Sequence, residues 1–253
     1  MIKTMPCLLE KPEEVSKDHY LIKIDIGQSI SQPGQFANIR IGEIPLLRRP
    51  FSIYDHNSNI IKIIFKVIGK GTGILKDFNP GNIDVIAPLG SGFSICENKK
   101  VLLAGGGVGN APLYYLAKNL KTKGNSIHYI YAAKAKEFIY NKNEYRSVSD
   151  VFHIATDDGS EGFKGIAADA VREILRENNF DMVYTCGPSI MMKSIAGLFS
   201  NSGTPIEVSV ENYFGCGVGL CFGCTIETTA GFKRACMDGP VFDGRIIKWD
   251  ALG

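Results

Sequence analysis

The sequence holds no apolar run long enough to span a bilayer and no basic tract, and its first residues do not read as a secretory leader; each of these bears on a class of function. A membrane-spanning helix needs roughly 18 or more consecutive apolar residues, so a membrane role would need a partner. Its 28 Lys and Arg stand against 26 Asp and Glu, a net charge of +2, and are scattered without interleaved aromatics. That gives no electrostatic case for nucleic-acid binding and leaves another protein as the expected macromolecular partner. The four histidines, His19, His56, His128 and His153, show no metal-ligand spacing and read as solvated or packed side chains. No Ser/His/Asp or Cys/His set stands out, and no catalytic acid, base or nucleophile is assigned. Without a leader the chain is expected in the cytoplasm, where structural disulfides are rare.

What the 253 residues do contain is 45% hydrophobic side chains and 28 glycines, a composition for a globular protein of more than one domain. Four of the seven cysteines gather near the C-terminus: Cys216, Cys221, Cys224 and Cys236. C-x4-C-x2-C with a distant fourth Cys is the plant-type spacing for a [2Fe-2S] cluster. Glycines at 215, 217, 219 and 223 let a tight loop bring thiolates and backbone N–H groups around one cluster, with no acidic residue among them. A structural zinc site is the alternative, as in a zinc-stabilised nucleotide-binding module. Zinc modules usually pair two short knuckles, whereas here three ligands crowd one loop. Cys7, Cys96 and Cys186 are scattered and read as buried or lining residues.

The first third reads as short strands broken by turns, at 20–26, 35–41, 51–54 and 60–67, which predicts a small antiparallel β-barrel. Only 72–78 reads as helix there, and the start at Gly69-Lys70-Gly71-Thr72-Gly73 offers free N–H donors to a phosphate. From Lys99 the pattern changes to apolar strands at 101–104, 127–131, 151–155 and 182–185, alternating with helices near 110–123, 166–177 and 189–199. That predicts a parallel α/β sheet covered on both faces, with a nucleotide at the strand C-termini. The turn Gly105-Gly106-Gly107-Val108-Gly109 departs from the G-x-G-x-x-G fingerprint, which would require glycine where Asn110 stands. Cys186-Gly187-Pro188 also ends a strand and opens a helix, so it should face the same crevice. Asp157-Asp158-Gly159-Ser160 either accepts hydrogen bonds from a ribose or caps its own turn.

In this order the pieces resemble the ferredoxin reductase superfamily and, within it, the electron-transfer subunits of type B, NAD-dependent dihydroorotate dehydrogenase. The likeness spans nearly the whole chain, from Arg48-Arg49-Pro50-Phe51-Ser52-Ile53 through Gly69-Lys70-Gly71-Thr72, Pro88-Leu89-Gly90-Ser91-Gly92-Phe93, the glycine turn and Cys186-Gly187-Pro188 to the cysteine loop and Ala235-Cys236-Met237-Asp238-Gly239-Pro240. It implies an FAD-binding barrel (1–97), an NAD-binding α/β domain (98–205) and a cluster domain (206–253). It further implies Arg49 on the flavin pyrophosphate, Pro50 holding the strand extended, Phe51 along the flavin and Ser52 near its N5. Where the family often has Tyr, this chain has Phe51, which keeps stacking and removes a hydroxyl. Ile64, Phe65 and Lys66 would run beside the flavin, though Ile64 and Phe65 also read as plain barrel core. Gly71 and Thr72 would hold the FAD phosphates. Gly105, Gly106, Gly107 and Gly109 with Cys186, Gly187 and Pro188 would hold NAD(H).

The resemblance also implies a partner: a catalytic subunit with FMN that oxidises dihydroorotate in pyrimidine biosynthesis, assembled as a heterotetramer of two copies of each chain. Electrons would pass from that FMN through the cluster and FAD to NAD+, with Val218, Leu220 and Phe222 forming part of the contact. The small subunits of NADH-dependent ferredoxin:NADP oxidoreductases and sulfide dehydrogenases are similar and form the nearest alternative. Many of those carry Asp at the first cluster position, where this chain has Cys216.

Overall fold

The computed structural model describes residues 5–252. Eight antiparallel strands form the first sheet: β1 (Met5–Leu9), β2 (Glu13–Ser16), β3 (His19–Asp25), β4 (Phe36–Arg40), β5 (Arg49–Ser52), β6 (Asp55–Asn57), β7 (Ile60–Lys66) and β8 (Gly81–Leu89). They run in the order β5-β4-β8-β1-β3-β7-β6, with β2 on β3. Period-2 alternation drives the burial: Ile22 and Ile24 of β3 and Ile61, Ile63 and Phe65 of β7 point inward onto Leu9, Ile39 and Val85. The sheet curls into a barrel whose ladder stays open, because β5 and β6 are its two ends and no ladder joins β5 to β7 among the described residues. Across that gap the rings of Phe51 and Phe65 lie 5.7 Å apart.

The short helix α1 (Lys70–Lys76) begins two residues earlier than the sequence suggests. The Thr72 hydroxyl turns back, accepting from the Ile68 and Gly69 N–H groups at 3.0 and 3.2 Å, and so fixes the first turn at Lys70.

The second sheet takes β9 (Lys100–Gly106), β10 (Ser126–Ala133), β11 (Val151–Thr156), β12 (Phe163–Lys164), β13 (Met182–Cys186), β14 (Ile206–Ser209) and β17 (Val241–Asp243), in the order β12-β11-β10-β9-β13-β14-β17. All neighbours are parallel except β14 and β17. Helices α2 (Asn110–Thr122), α3 (Lys142–Ser147), α4 (Ala167–Ile174) and α5 (Ser189–Leu198) connect the strands. The chain steps from β9 outward to β12, then returns to the other side of β9 as β13. The strand order therefore reverses between β9 and β13, where an open parallel sheet leaves a ligand crevice.

Helix α2 is buried on most of its surface because it lies between the two sheets. Its Tyr115 hydroxyl donates to the Ser31 carbonyl at 2.9 Å, and its Lys118 bonds the buried Asp55 carboxylate at 2.9 Å. The C-terminal segment adds a hairpin, β15 (Thr225–Thr228) and β16 (Gly231–Arg234), beyond the cysteine loop. Because β14 and β17 flank that segment within the nucleotide sheet, the loop is anchored at both ends. Against the barrel, Ser91 donates from its N–H to the Gly239 carbonyl at 2.6 Å. Among the described residues no helix is long and apolar enough to cross a membrane.

Candidate functional site

A cleft of about 370 Å³ opens where the curled sheet fails to close. Pro50, Phe51 and Ser52 of β5 form one wall and Ile64, Phe65 and Lys66 of β7 another, with Ile68 and Thr72 at the edge. Val108, Gly109, Pro112 and Cys186 close it from the nucleotide sheet. The remaining wall is the segment Ser209 to Asn212 with Phe214, which leads straight into the cysteine loop. Of the sequence-assigned residues, Arg49, Gly71, Gly105, Gly106, Gly107, Gly187 and Pro188 stand behind or beside this wall rather than on it.

Arg49 is half-buried, with Nη1 donating to the carbonyls of Leu47 (2.8 Å) and Arg48 (3.3 Å), which fixes the fork. A Cβ on Gly71 would come to 3.4 Å from Arg49 Nε, so glycine lets the start of α1 approach that guanidinium. The first-turn N–H groups of a helix have no intrahelical acceptor, and together with the forked cation they suit an anionic group such as a pyrophosphate. The Thr72 hydroxyl is spent inside its own turn and also donates to the Gly69 carbonyl at 3.1 Å. Only its backbone N–H is left to serve a phosphate, which narrows the role expected from sequence. Phe51 and the β7 face offer an apolar surface for a planar ring, with Ser52 as a hydroxyl beside it. A flavin fits this set of groups.

Two turns meet at the switch point. A Cβ on Gly109 would lie 2.5 Å from the Cys186 carbonyl oxygen, and one on Gly187 would lie 3.1 Å from the Gly106 nitrogen, so the two turns pack backbone to backbone. Asn110, which breaks the fingerprint, is fully buried and does the holding. Its Nδ2 donates to the carbonyls of Gly107 (2.9 Å) and Ala132 (3.3 Å), and the Tyr129 hydroxyl donates to its Oδ1 at 3.2 Å. The side chain thus takes up space that a third glycine would leave open: a Cβ on Gly105 would meet Asn110 Oδ1 at 2.2 Å. Burial pushes the Cys186 thiol well up, so it faces the cleft as a neutral group. Asp158 turns out to serve its own loop, accepting from the Ser160 hydroxyl (2.6 Å) and N–H (2.9 Å), which hold its carboxyl below the usual range.

The four C-terminal thiols form two pairs, Cys216 against Cys221 and Cys224 against Cys236. Two pairs suit a two-iron cluster, where each iron takes two thiolates. Backbone N–H groups converge on the sulfurs: Val218 and Leu220 on Cys216 (3.4 and 3.3 Å), Cys216 and Gly223 on Cys221 (3.3 and 3.4 Å), Gly219 on Cys236 (3.1 Å) and Cys236 on Cys224 (3.4 Å). Burial works against the Cys216 thiolate, yet the N–H donors of Val218, Cys221 and Leu220 prevail and bring it down to about 7. Burial, followed by its neighbour Cys224, drives Cys236 up to about 12. Gly217 and Gly219 sit at φ +73° and +81°. Phe222 adopts φ +59° without being glycine, a local strain that the turn between Cys221 and Cys224 imposes.

Sequence reasoning passed over Phe36, Asn38, Glu211, Asn212 and Phe214. Glu211 is reached by solvent across the cleft mouth but flanked by protein, and the loss of water raises its carboxyl. It is the one acidic side chain on the cleft wall among the described residues. Its signal was positional: it follows a parallel strand into the same crevice as the two turns. Val218 also departs from expectation, being half-buried and packed onto the nucleotide-domain core, whereas Leu220 and Phe222 are exposed.

Comparison with known proteins agrees with this geometry. Residues 211–248 match the iron-sulfur cluster binding domain of dihydroorotate dehydrogenase B, and residues 103–197 match the oxidoreductase NAD-binding domain. The chain is 35% identical to the dihydroorotate dehydrogenase B (NAD(+)) electron transfer subunit of Fusobacterium nucleatum, covering 95% of this chain and 97% of that one. It is 38% identical to the subunit of the same name from Geobacillus kaustophilus, over 85% of this chain and 86% of that one. Among solved structures, one of an NADH-dependent reduced ferredoxin-NADP oxidoreductase superposes with a TM-score of 0.89 at 36% identity, covering 100% of this chain and 93% of that one. The ferredoxin reductase of carbazole 1,9a-dioxygenase, at 18% identity and a TM-score of 0.72, shares the fold.

Proposed function

The chain belongs to the family of dihydroorotate dehydrogenase B electron transfer subunits, and on that footing we propose that it passes electrons between NAD and a catalytic subunit converting dihydroorotate to orotate. Its cofactors are FAD, a [2Fe-2S] cluster and NAD(H), and its partner an FMN-containing subunit, two copies of each chain forming a cytoplasmic heterotetramer of pyrimidine biosynthesis. The divisions at 97/98 and 205/206 belong to the same reading, with the cluster domain rooted in the nucleotide sheet through β14 and β17.

One observation carries it. A single cleft is walled by β5 and β7, by the Val108–Gly109 and Cys186 turns, and by Phe214, which stands two residues before Cys216. When bound, a flavin supplies the exchange between hydride and single electrons, and a two-iron cluster supplies the one-electron relay. The residues do the rest. Arg49 neutralises the flavin pyrophosphate while the start of α1 donates N–H groups beside it. Phe51 and Phe65 shield the ring from water, and Ser52 offers a short hydroxyl that leaves the ring face open to a nicotinamide. Gly107, with open space on its Cβ side, would admit the dinucleotide close to backbone, while Gly105, Gly106 and Gly109 pack the turn that presents it and Cys186-Gly187-Pro188 would border it. Cys216, Cys221, Cys224 and Cys236 give up their thiol protons to become ligands, with the converging N–H groups supporting the negative charge. Leu220, Phe222 and Tyr213 expose apolar surface beside them, 79%, 63% and 91% accessible, which favours a protein docking there.

The whole-chain match to the ferredoxin-NADP oxidoreductase structure favours a second reading, in which the partner is that of a ferredoxin-linked enzyme. Co-expression with a dihydroorotate dehydrogenase catalytic subunit separates the two. The expected result is a complex that reduces NAD+ with dihydroorotate, an activity neither chain has alone. A chain that fails to associate, and that instead links NADH to ferredoxin, would overturn the first reading.

A further inference from the structure

The barrel grips the cysteine loop at two points on one face of β4. Phe36 and Asn38, two residues apart and therefore on the same side of the strand, meet Phe214 and Cys216, also two residues apart. The Phe36 and Phe214 rings pack edge to face with centroids 5.1 Å apart. Asn38, 1% exposed, donates from Nδ2 to the Cys216 carbonyl at 3.0 Å, a bond across 178 positions of chain. The fit is tight: a Cβ on Gly217 would come within 2.3 Å of that Nδ2.

Asn38 is itself held. It stands opposite Pro50 in the β4–β5 ladder, and its own carbonyl accepts from Arg48 Nη1 at 3.5 Å, while Arg48 Nη2 pairs with Asp84 at 2.5 Å. Its Oδ1 has no hydrogen-bond partner among the described residues. A buried amide with an unmet acceptor destabilises a core strand relative to an apolar residue of the same shape. The side chain is therefore poorly explained by barrel stability and well explained by its bond to the loop.

We propose that Asn38 is a positioning residue for electron transfer: its bond to Cys216 sets the separation of the cluster loop from the flavin-facing strand β5. This rests on the proposed reading that β5 borders FAD and the four cysteines hold the cluster. Tunnelling falls exponentially with separation, so displacement of the loop by a fraction of an ångström or more slows exchange between the two groups without touching the hydride step. Without that bond, the Phe36–Phe214 packing is the one remaining contact described between β4 and the loop.

The test uses the full-length protein with its bound cofactors and two variants, Asn38→Leu, which removes the donor, and Asn38→Asp, which keeps the shape and turns donor into acceptor. Stopped-flow mixing with NADH follows flavin and cluster absorbance separately. Hydrogen exchange of the Val218, Gly219 and Leu220 amides and the electron paramagnetic resonance line shape of the reduced cluster report loop position independently of turnover. In both variants flavin bleaching should keep its rate, cluster bleaching should slow by about twofold or more, the three amides should exchange faster and the resonance lines should broaden. Unchanged cluster kinetics and line shape in both variants would overturn the proposal, as would joint loss of flavin and iron, the mark of a plain structural brace. A parent protein that carries no flavin or no cluster would instead refute the reading beneath it, and the proposal with it.

Discussion

At the residue scale the cysteine loop divides its four thiols by environment. Cys216, brought down to about 7 by three backbone donors, is largely thiolate at pH 8, whereas buried Cys236, near 12, stays protonated. In protein stripped of iron, alkylation by iodoacetamide should modify Cys216 with a midpoint near pH 7 and leave Cys236 unreacted, as mapped by peptide mass. Equal labelling of both would contradict the assigned environments. Cys221→Ser removes one ligand of the Cys216–Cys221 pair, and the expected outcome is loss of bound iron and of delivery to the partner with NADH reduction of FAD intact. Simultaneous loss of both activities would mark the loop as merely structural. Arg49→Ala removes the forked cation from the phosphate side of the cleft. FAD should then bind about 30- to 100-fold more weakly, the equivalent of roughly 2–3 kcal/mol for a charge-assisted contact, as read by flavin retention on dialysis.

At the element scale the joint between the sheets rests on α2. Asp55, with its side chain 3% exposed, is neutralised by Lys118 at 2.9 Å and Lys62 at 3.6 Å. Lys118→Met leaves the carboxylate with the weaker partner, and urea unfolding should show about 1–3 kcal/mol of lost stability, less than for a fully uncompensated buried charge because Lys62 remains. How legible such elements were in sequence depended on whether each carried its own periodic pattern or turn signal. β3 and β7 alternate cleanly, although residues 26–59 separate them in the chain, and β9 with its glycine turn and α2 carry their own signals. β1 and β8 escaped notice: they pair with each other across most of the barrel's length, and Pro88 interrupts the apolar pattern of β8. α3 is short, polar and entered through a left-handed Asn141, so periodicity could not reveal it. In the site, the cysteines were readable because local spacing carries their chemistry, and the Arg-Pro-Phe-Ser segment through its resemblance to the ferredoxin reductases. Asn38 and Glu211 were not, since a lone polar residue in an apolar stretch acquires meaning only through what the fold brings against it.

At the scale of the whole molecule, three histidines on separate elements, His19, His56 and His128, are held below their ordinary value of 6.5, in each case chiefly by burial. The folded state therefore disfavours their protonation. The unfolded chain binds protons first as pH falls through about 6.5, so stability is full above that value and declines toward the lower folded values. Melting temperature should fall between pH 7 and 5.5, and a flat profile would contradict these burials. The larger question is whether one chain joins a two-electron carrier to a one-electron carrier across a single cleft. Anaerobic titration of the purified protein with NADH, followed by visible absorption, counts those electrons directly. The expected endpoint is about 1.5 equivalents of NADH per chain, two electrons for FAD and one for the cluster, with flavin and longer-wavelength bands both bleached. An endpoint at about one equivalent with no absorbance beyond the flavin bands, or a colourless protein containing zinc, would contradict it.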